Sequence, residues 1–123
     1  MGITLIVTRS FNRNLDETGL EIGLEEWLGF VERDPSLRLQ QAPYVIQTPS
    51  GSRISCPVAE GQAELHVGDQ YIPLLYYSDG ELYRGYHREF ENPLNPIRQK
   101  IAEVARKFKA IITHDCGDEI IEW

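Results

Sequence analysis

No lysine occurs in this chain before Lys100. A phosphate-cradling loop brings glycine backbone N–H groups up to the anion and usually adds a lysine to meet it. Here the glycines are scattered and lysine comes late, so nucleotide hydrolysis by that route is not expected. Neither lysine nor arginine occurs in residues 58–81. Cysteine is scarce: Cys56 and Cys116 stand far apart and belong to no spaced cluster. That pattern offers neither a structural metal site nor a disulfide framework, and it reads as two free thiols in a reducing cytoplasm, with one disulfide as the alternative. No apolar run approaches the roughly 18 residues that span a bilayer. The apolar residues 3–7 are followed at once by Arg9, which speaks against a secretory leader. The expectation is a cytoplasmic protein without membrane association. Internal repeats, linkers and low-complexity stretches are also missing.

What the chain has is acid, unevenly placed. Its 123 residues carry 19 acids against 12 bases, a net charge of −7. Residues 14–34 hold Asp16, Glu17, Glu21, Glu25, Glu26, Glu32 and Asp34 against Arg33 alone, and residues 58–81 hold Glu60, Glu64, Asp69, Asp79 and Glu81. Most basic charge comes later, between residues 84 and 109. Such a surface favours a basic protein partner and repels nucleic acid phosphates. At 41% hydrophobic, the length suits one domain over residues 1–123 with a core that needs no staples.

Residues 3–8 are apolar and β-branched, a strand fit for the middle of a sheet. Residues 10–20 read as a loop. Leu24, Trp27, Leu28 and Val31 fall on one helix face; Gly23 caps that helix, Glu25 and Glu26 suit the dipole of its first turn, and Asp34-Pro35 ends it. Residues 44–48 and 53–56 form a hairpin, and residues 63–67 a short strand. A clearer hairpin joins residues 71–77 to 81–87 through Ser78-Asp79-Gly80, with Pro73 marking an edge or a bulge. Asn95 caps a second helix with Pro96 in its first position, and Ile97, Ile101, Val104, Ala105 and Phe108 make its buried stripe. Residues 110–113 and 119–122 flank a third turn. This order predicts an α+β fold, an antiparallel-rich sheet built from hairpins with two packed α-helices.

Candidate chemistry is thin. His114, Asp115 and Cys116 are consecutive, so a strand would point them to alternating faces, poor geometry for joint metal ligation; a polar turn accounts for them. Cys116 among acids has its thiol pKa raised, against the need of a nucleophile. Glu25-Glu26 is a carboxylate pair that the helix dipole explains without catalysis. No catalytic residue, metal or cofactor is expected. Tyr71, Tyr76, Tyr77, Tyr83 and Tyr86 lie on the strands of one hairpin. They read either as a structural sheet face with satisfied hydroxyls or as an interface, where tyrosine is enriched. Strict alternation would put Tyr71 with Tyr77 and Tyr76 opposite. The acids around them argue against base stacking.

Gly23-Leu24-Glu25-Glu26-Trp27-Leu28-Gly29-Phe30-Val31, followed by Asp34-Pro35-Ser36-Leu37-Arg38, resembles a group of small bacterial proteins. These share a Leu-acid-Glu-Trp-Leu helix with an Asp-Pro-Xaa-Leu-Arg exit. Residues 97–108 and 115–123 are similar to that group's amphipathic helix and Gly-Asp-rich ending. Small acidic proteins of this sort resemble the immunity proteins of bacterial toxin systems, including contact-dependent inhibition. The resemblance implies a non-enzymatic antitoxin that occludes the active site of a basic toxin C-terminal domain, such as a nuclease, as a monomer or homodimer. The expected electrostatic contributors are Asp16, Glu17, Glu25, Glu26, Glu60, Glu64 and Asp69, and the expected anchors are exposed members of Tyr71, Tyr76, Tyr77 and Tyr83. The alternative is a small ligand-binding or enzymatic α+β domain with a cleft on which His66, His87 or His114 converges. A third reading is an adaptor module docking through the tyrosine hairpin.

Overall fold

A computed structural model describes residues 3–9, 21–56, 58, 61–115 and 119–123. Its elements run β1 (Thr4–Thr8), α1 (Leu24–Arg33), β2 (Leu37–Leu39), β3 (Tyr44–Gln47), β4 (Arg53–Cys56), β5 (Ala63–Val67), β6 (Gln70–Ser78), β7 (Glu81–Gly85), a 3-10 turn (Arg88–Glu91), α2 (Pro96–Lys107) and β8 (Ile111–His114). The fold is α+β. Six strands form an antiparallel sheet in the order β2-β5-β6-β7-β1-β8, and β3 and β4 pair as a separate two-stranded sheet. β1 is flanked by β7 and β8, as its unbroken apolar run predicts.

Both helices cover one sheet face. Trp27 and Val31 of α1, and Ile97, Ile101, Val104 and Ala105 of α2, share one buried cluster with Leu5, Val7, Leu65, Leu75 and Leu82 from the strands. Each of the valines, leucines and isoleucines among them, fully buried, contributes about 1.5–3 kcal/mol. The Asn95 side chain accepts from the backbone N–H of Ile97 at 2.9 Å and of Arg98 at 3.1 Å, which satisfies two donors that a helix start leaves free.

Three features depart from the sequence reading. β2 was not expected; its three residues carry too little pattern, and β5 across the ladder makes it a strand. β7 ends at Gly85, two residues short of the expected strand, and a 3-10 turn follows at residues 88–91. The return half of the third hairpin, residues 119–122, is in no strand, although Ile121 N–H donates to the Ile112 carbonyl at 2.7 Å. Pro73 lies where such a residue is expected: β7 pairs only with Tyr76, Tyr77 and Ser78 of β6, so at Pro73 the strand is paired on the β5 side alone. It also adjoins a bulge: Ala63 pairs with Leu75 and Glu64 with Pro73, so Leu74 has no partner across the ladder. The Arg84 guanidinium of β7 donates to the carbonyls of Pro73 and Leu74. Burial lowers the Arg84 pKa from its ordinary value. The loop expected at 10–20 lies outside the described residues.

Candidate functional site

The fold brings acidic stretches that are distant in sequence to one pole of the molecule. Ile22 N–H donates to the Gly80 carbonyl at 2.9 Å, and the Tyr77 hydroxyl donates to the Ile22 carbonyl at 2.8 Å. The chain entering α1 is thereby fastened to the β6–β7 turn. Contact is close: a Cβ placed on Gly80 would lie 2.7 Å from the Glu21 Cβ. Glu21 therefore lies against the turn that carries Asp79, and Glu25 follows in the first turn of α1. All three are exposed. The indole N–H of Trp27 donates to the Gly61 carbonyl at 2.8 Å, and a Cβ placed on Gly61 would lie 2.7 Å from the Tyr77 Cβ, which holds the start of β5 at the same pole.

Glu26 belongs to this pole by position but not by free charge. Its carboxylate takes two hydrogen bonds from Arg9, one at 3.2 Å to Oε1 and a shorter one to Oε2. The Arg9 hydrogen bond lowers the Glu26 pKa against a smaller opposing effect of burial. Arg9 also donates through Nε to the Phe108 carbonyl at 2.7 Å and through Nη1 to the Glu21 carbonyl at 3.3 Å. One guanidinium thus joins the start of α1 to the end of α2.

Glu64 requires a correction. It is not a surface acid but is buried, 5% exposed, with Arg38 Nε donating to Oε1 and the Tyr44 hydroxyl to Oε2, both at 2.8 Å. Its charge is met locally, as a buried carboxylate requires. Burial first, and then the Glu64 carboxylate, push the Tyr44 hydroxyl far above an ordinary phenol. Asp69 is exposed but lies in the β5–β6 turn. The nine residues of β6 separate it from Asp79 by about 30 Å at a strand's rise per residue. Asp16, Glu17 and Glu60 lie outside the described residues.

The tyrosines divide between the two faces of the sheet, and the Leu74 bulge changes the expected division. Tyr77 pairs with Leu82 and packs on the core. Tyr76 pairs with Tyr83, and their rings stack at 5.6 Å and 25° on the face away from the helices. Tyr71 pairs with His66 on that same face, where the Arg38 guanidinium lies 3.8 Å above its ring and the His66 ring 4.8 Å away. The extra residue moves Tyr71 from the face of Tyr77 to that of Tyr76. Tyr71 and Tyr76 are the exposed members, at 36% and 41%. The Tyr83 hydroxyl donates to Glu81 Oε1 at 2.7 Å. Arg38, His66 and Tyr44 complete this face. The sequence reading gave Arg38 and Tyr44 no part in a site and considered His66 only as a cleft residue, because it takes the register of β2, β5 and β6 and the Tyr44–Glu64 hydrogen bond to assemble them.

A cleft of about 590 Å³ lies between α1 and α2 and is lined by Phe30, Phe108, Arg33, Lys107 and Lys100, among others. Lys100 is engaged there by Asp34 at 2.9 Å and Glu103 at 3.0 Å. No histidine lines it, so it is not the histidine-bearing cleft of the ligand-binding alternative. The described residues hold no group of three or more metal-ligating side chains and no helix long and apolar enough to cross a membrane. Comparison with protein-family models, curated proteins and solved structures gives no match.

Proposed function

We propose that this protein is an immunity protein: it binds a basic bacterial toxin domain, of nuclease type, and occludes its active site. One observation carries the reading. Glu21, Glu25 and Asp79, drawn from two acidic stretches, stand exposed together at one pole. A nucleic acid enzyme presents a basic surface to phosphate, and an acidic pole competes for that surface while speeding encounter by electrostatic steering. The stacked Tyr76 and Tyr83, with Tyr71 under Arg38, add large rigid area on the same sheet, the kind of anchor that dominates interface energy.

Co-purification with the C-terminal toxin domain encoded beside the gene tests this reading. The expected outcome is a stable complex in which the toxin's activity is blocked. Substituting Glu21→Lys, Glu25→Lys and Asp79→Lys together is expected to relieve inhibition while the fold, followed by circular dichroism, is retained. A neighbouring domain that neither binds nor is blocked would sink the proposal.

A further inference from the structure

Two helices packed on one sheet leave a groove between them, and here ionic contacts fix it at both ends. Arg9 joins Glu26, at the start of α1, to the Phe108 carbonyl, at the end of α2. Lys100, in the first half of α2, joins Asp34, just past the end of α1. The helices are therefore antiparallel, with a bridge at each end of the cleft. Between the bridges lie Phe30 and Phe108, with ring centroids 5.3 Å apart at an angle of 57°. Trp27 packs against both rings, at 5.9 Å from Phe30 and 6.0 Å from Phe108. The space of about 590 Å³ is within the range of sites that hold small molecules.

Charge in the cleft differs from charge on the molecule as a whole. Its three acids are each met: Glu26 by Arg9, and Asp34 and Glu103 by Lys100. Two of its cations are not. Arg33 and Lys107, both exposed, make no ion pair among the described residues. A Cβ placed on Gly29 would lie 3.5 Å from Arg33 Nη2, so the guanidinium folds back one turn along α1. It thereby leaves the Asp34 end of the cleft and comes toward the end where Lys107 lies. Helix C-termini favour cations, which explains why both positions are basic but leaves their charges without a counter-ion. With Arg9 counted beside Arg33, Lys100 and Lys107, four cations stand against three carboxylates, on a chain whose net charge is −7.

We infer that this cleft binds a small aromatic carboxylate, its ring against Phe30 and Phe108 and its carboxylate between Arg33 and Lys107. Each part of the site selects a part of the ligand. Two tilted rings offer edge-to-face and offset contacts that favour a flat aromatic body over an aliphatic one. The two unpaired cations call for an anion, and a guanidinium fits a carboxylate in particular. A cationic ligand would meet only carboxylates that are already engaged. The bridges at Glu26 and Asp34 stand about 12 Å apart along α1, which suits a compact molecule rather than an extended polymer. None of Glu21, Glu25 and Asp79 lines the cleft. The inference therefore does not rest on the reading of the chain as an inhibitor, and the two fail separately.

Titration of the whole isotope-labelled protein with cinnamate, followed by amide chemical shifts in nuclear magnetic resonance, tests it. The shifts are expected at the amides around Phe30 and Arg33 of α1 and Lys107 and Phe108 of α2. They are expected to saturate with a Kd of about 1 mM or below, the range for a ligand of this size. Two relatives of the probe separate its parts. Cinnamamide keeps the ring without the charge and is expected to bind about tenfold more weakly. Acetate keeps the charge without the ring and is expected to give no saturating shift at these helices. Arg33→Gln and Lys107→Gln together, at exposed positions, are expected to weaken cinnamate about tenfold with little change for cinnamamide. Should that variant lose its fold, the comparison of acid and amide on the unaltered protein still decides. An absence of saturating shifts, or shifts centred on the tyrosine face, overturns the inference. So does equal binding of acid and amide, a response to acetate as strong as to cinnamate, or a folded double variant that binds cinnamate as the parent does.

Discussion

A methyl group on Gly61 would meet the Tyr77 Cβ at 2.7 Å, at a backbone φ of +74°. Both the angle and the contact forbid it, because left-handed backbone strains a residue with a Cβ and Tyr77 is held by its bond to Ile22. Gly51 has a similar φ of +89° but open space around it. Gly51→Ala is therefore expected to cost about 1–2 kcal/mol of folding free energy from the backbone alone, and Gly61→Ala about 2 kcal/mol more from packing. Urea denaturation of the two variants measures the difference, and equal losses would deny the close approach. Tyr44 gives a second test. Its pKa is raised in the folded state, so the stability it confers is full below the unfolded phenol's pKa of about 10 and falls as pH rises above that value toward the folded pKa. Tyr44→Phe is expected to be less stable than the parent near neutral pH, with the gap narrowing above about pH 10. A gap constant with pH would mean that the hydroxyl is not bonded to Glu64. Local chemistry made Gly23 and Asn95 readable as caps. The burial of Glu64 was not readable, because its partners Arg38 and Tyr44 are 26 and 20 residues away in sequence.

Elements were legible where a pattern is long. The stripe from Ile97 to Phe108 identified α2 and its buried face, and the unbroken apolar run of β1 identified a central strand. β2, with three residues, has no period to read and exists because β5 offers it an edge. The tyrosine faces were misjudged for a related reason: one unpaired residue at Leu74 reverses the alternation for everything before it. No sequence pattern announced Arg9 as the link between the helices either, since its partners are Glu26 and the Phe108 carbonyl. Arg9→Ala is expected to cost about 1–2 kcal/mol by freeing the carbonyl at the end of α2 and the Glu26 carboxylate. Part of that loss depends on pH in a defined direction. The Glu26 pKa is lowered in the folded state, so its contribution is present above the unfolded carboxyl pKa of about 4.3 and disappears as pH falls through the folded value. The difference between parent and Arg9→Ala is expected to shrink toward acid by roughly a few tenths of a kcal/mol, small because Glu26 is 44% exposed and screened. Thermal melts across the acid range measure it, and a difference that grew toward acid would exclude this pairing.

At the scale of the whole molecule, net charge was plain in the sequence and its placement was not. Residues 58–81 read as one acidic stretch, but β6 carries Asp69 away from Asp79: Asp69 lies at one end of the sheet and Asp79 at the other, beside Glu21. The separation of about 30 Å is several times the Debye length of about 8 Å at physiological ionic strength, so the two acids act on a partner independently. Asp69→Lys and Asp79→Lys change the net charge equally and form a matched pair. If the basic partner docks on the pole of Glu21, Glu25 and Asp79, Asp79→Lys is expected to slow association about threefold or more at low salt. Asp69→Lys is expected to change it by less than about twofold, and both effects are expected to fade as salt rises. Stopped-flow binding at two salt concentrations reads this directly. Equal slowing by both substitutions would mean that the partner senses only the total charge. Greater slowing by Asp69→Lys would move the docking surface to the opposite end of the sheet, beside Tyr71 and Arg38.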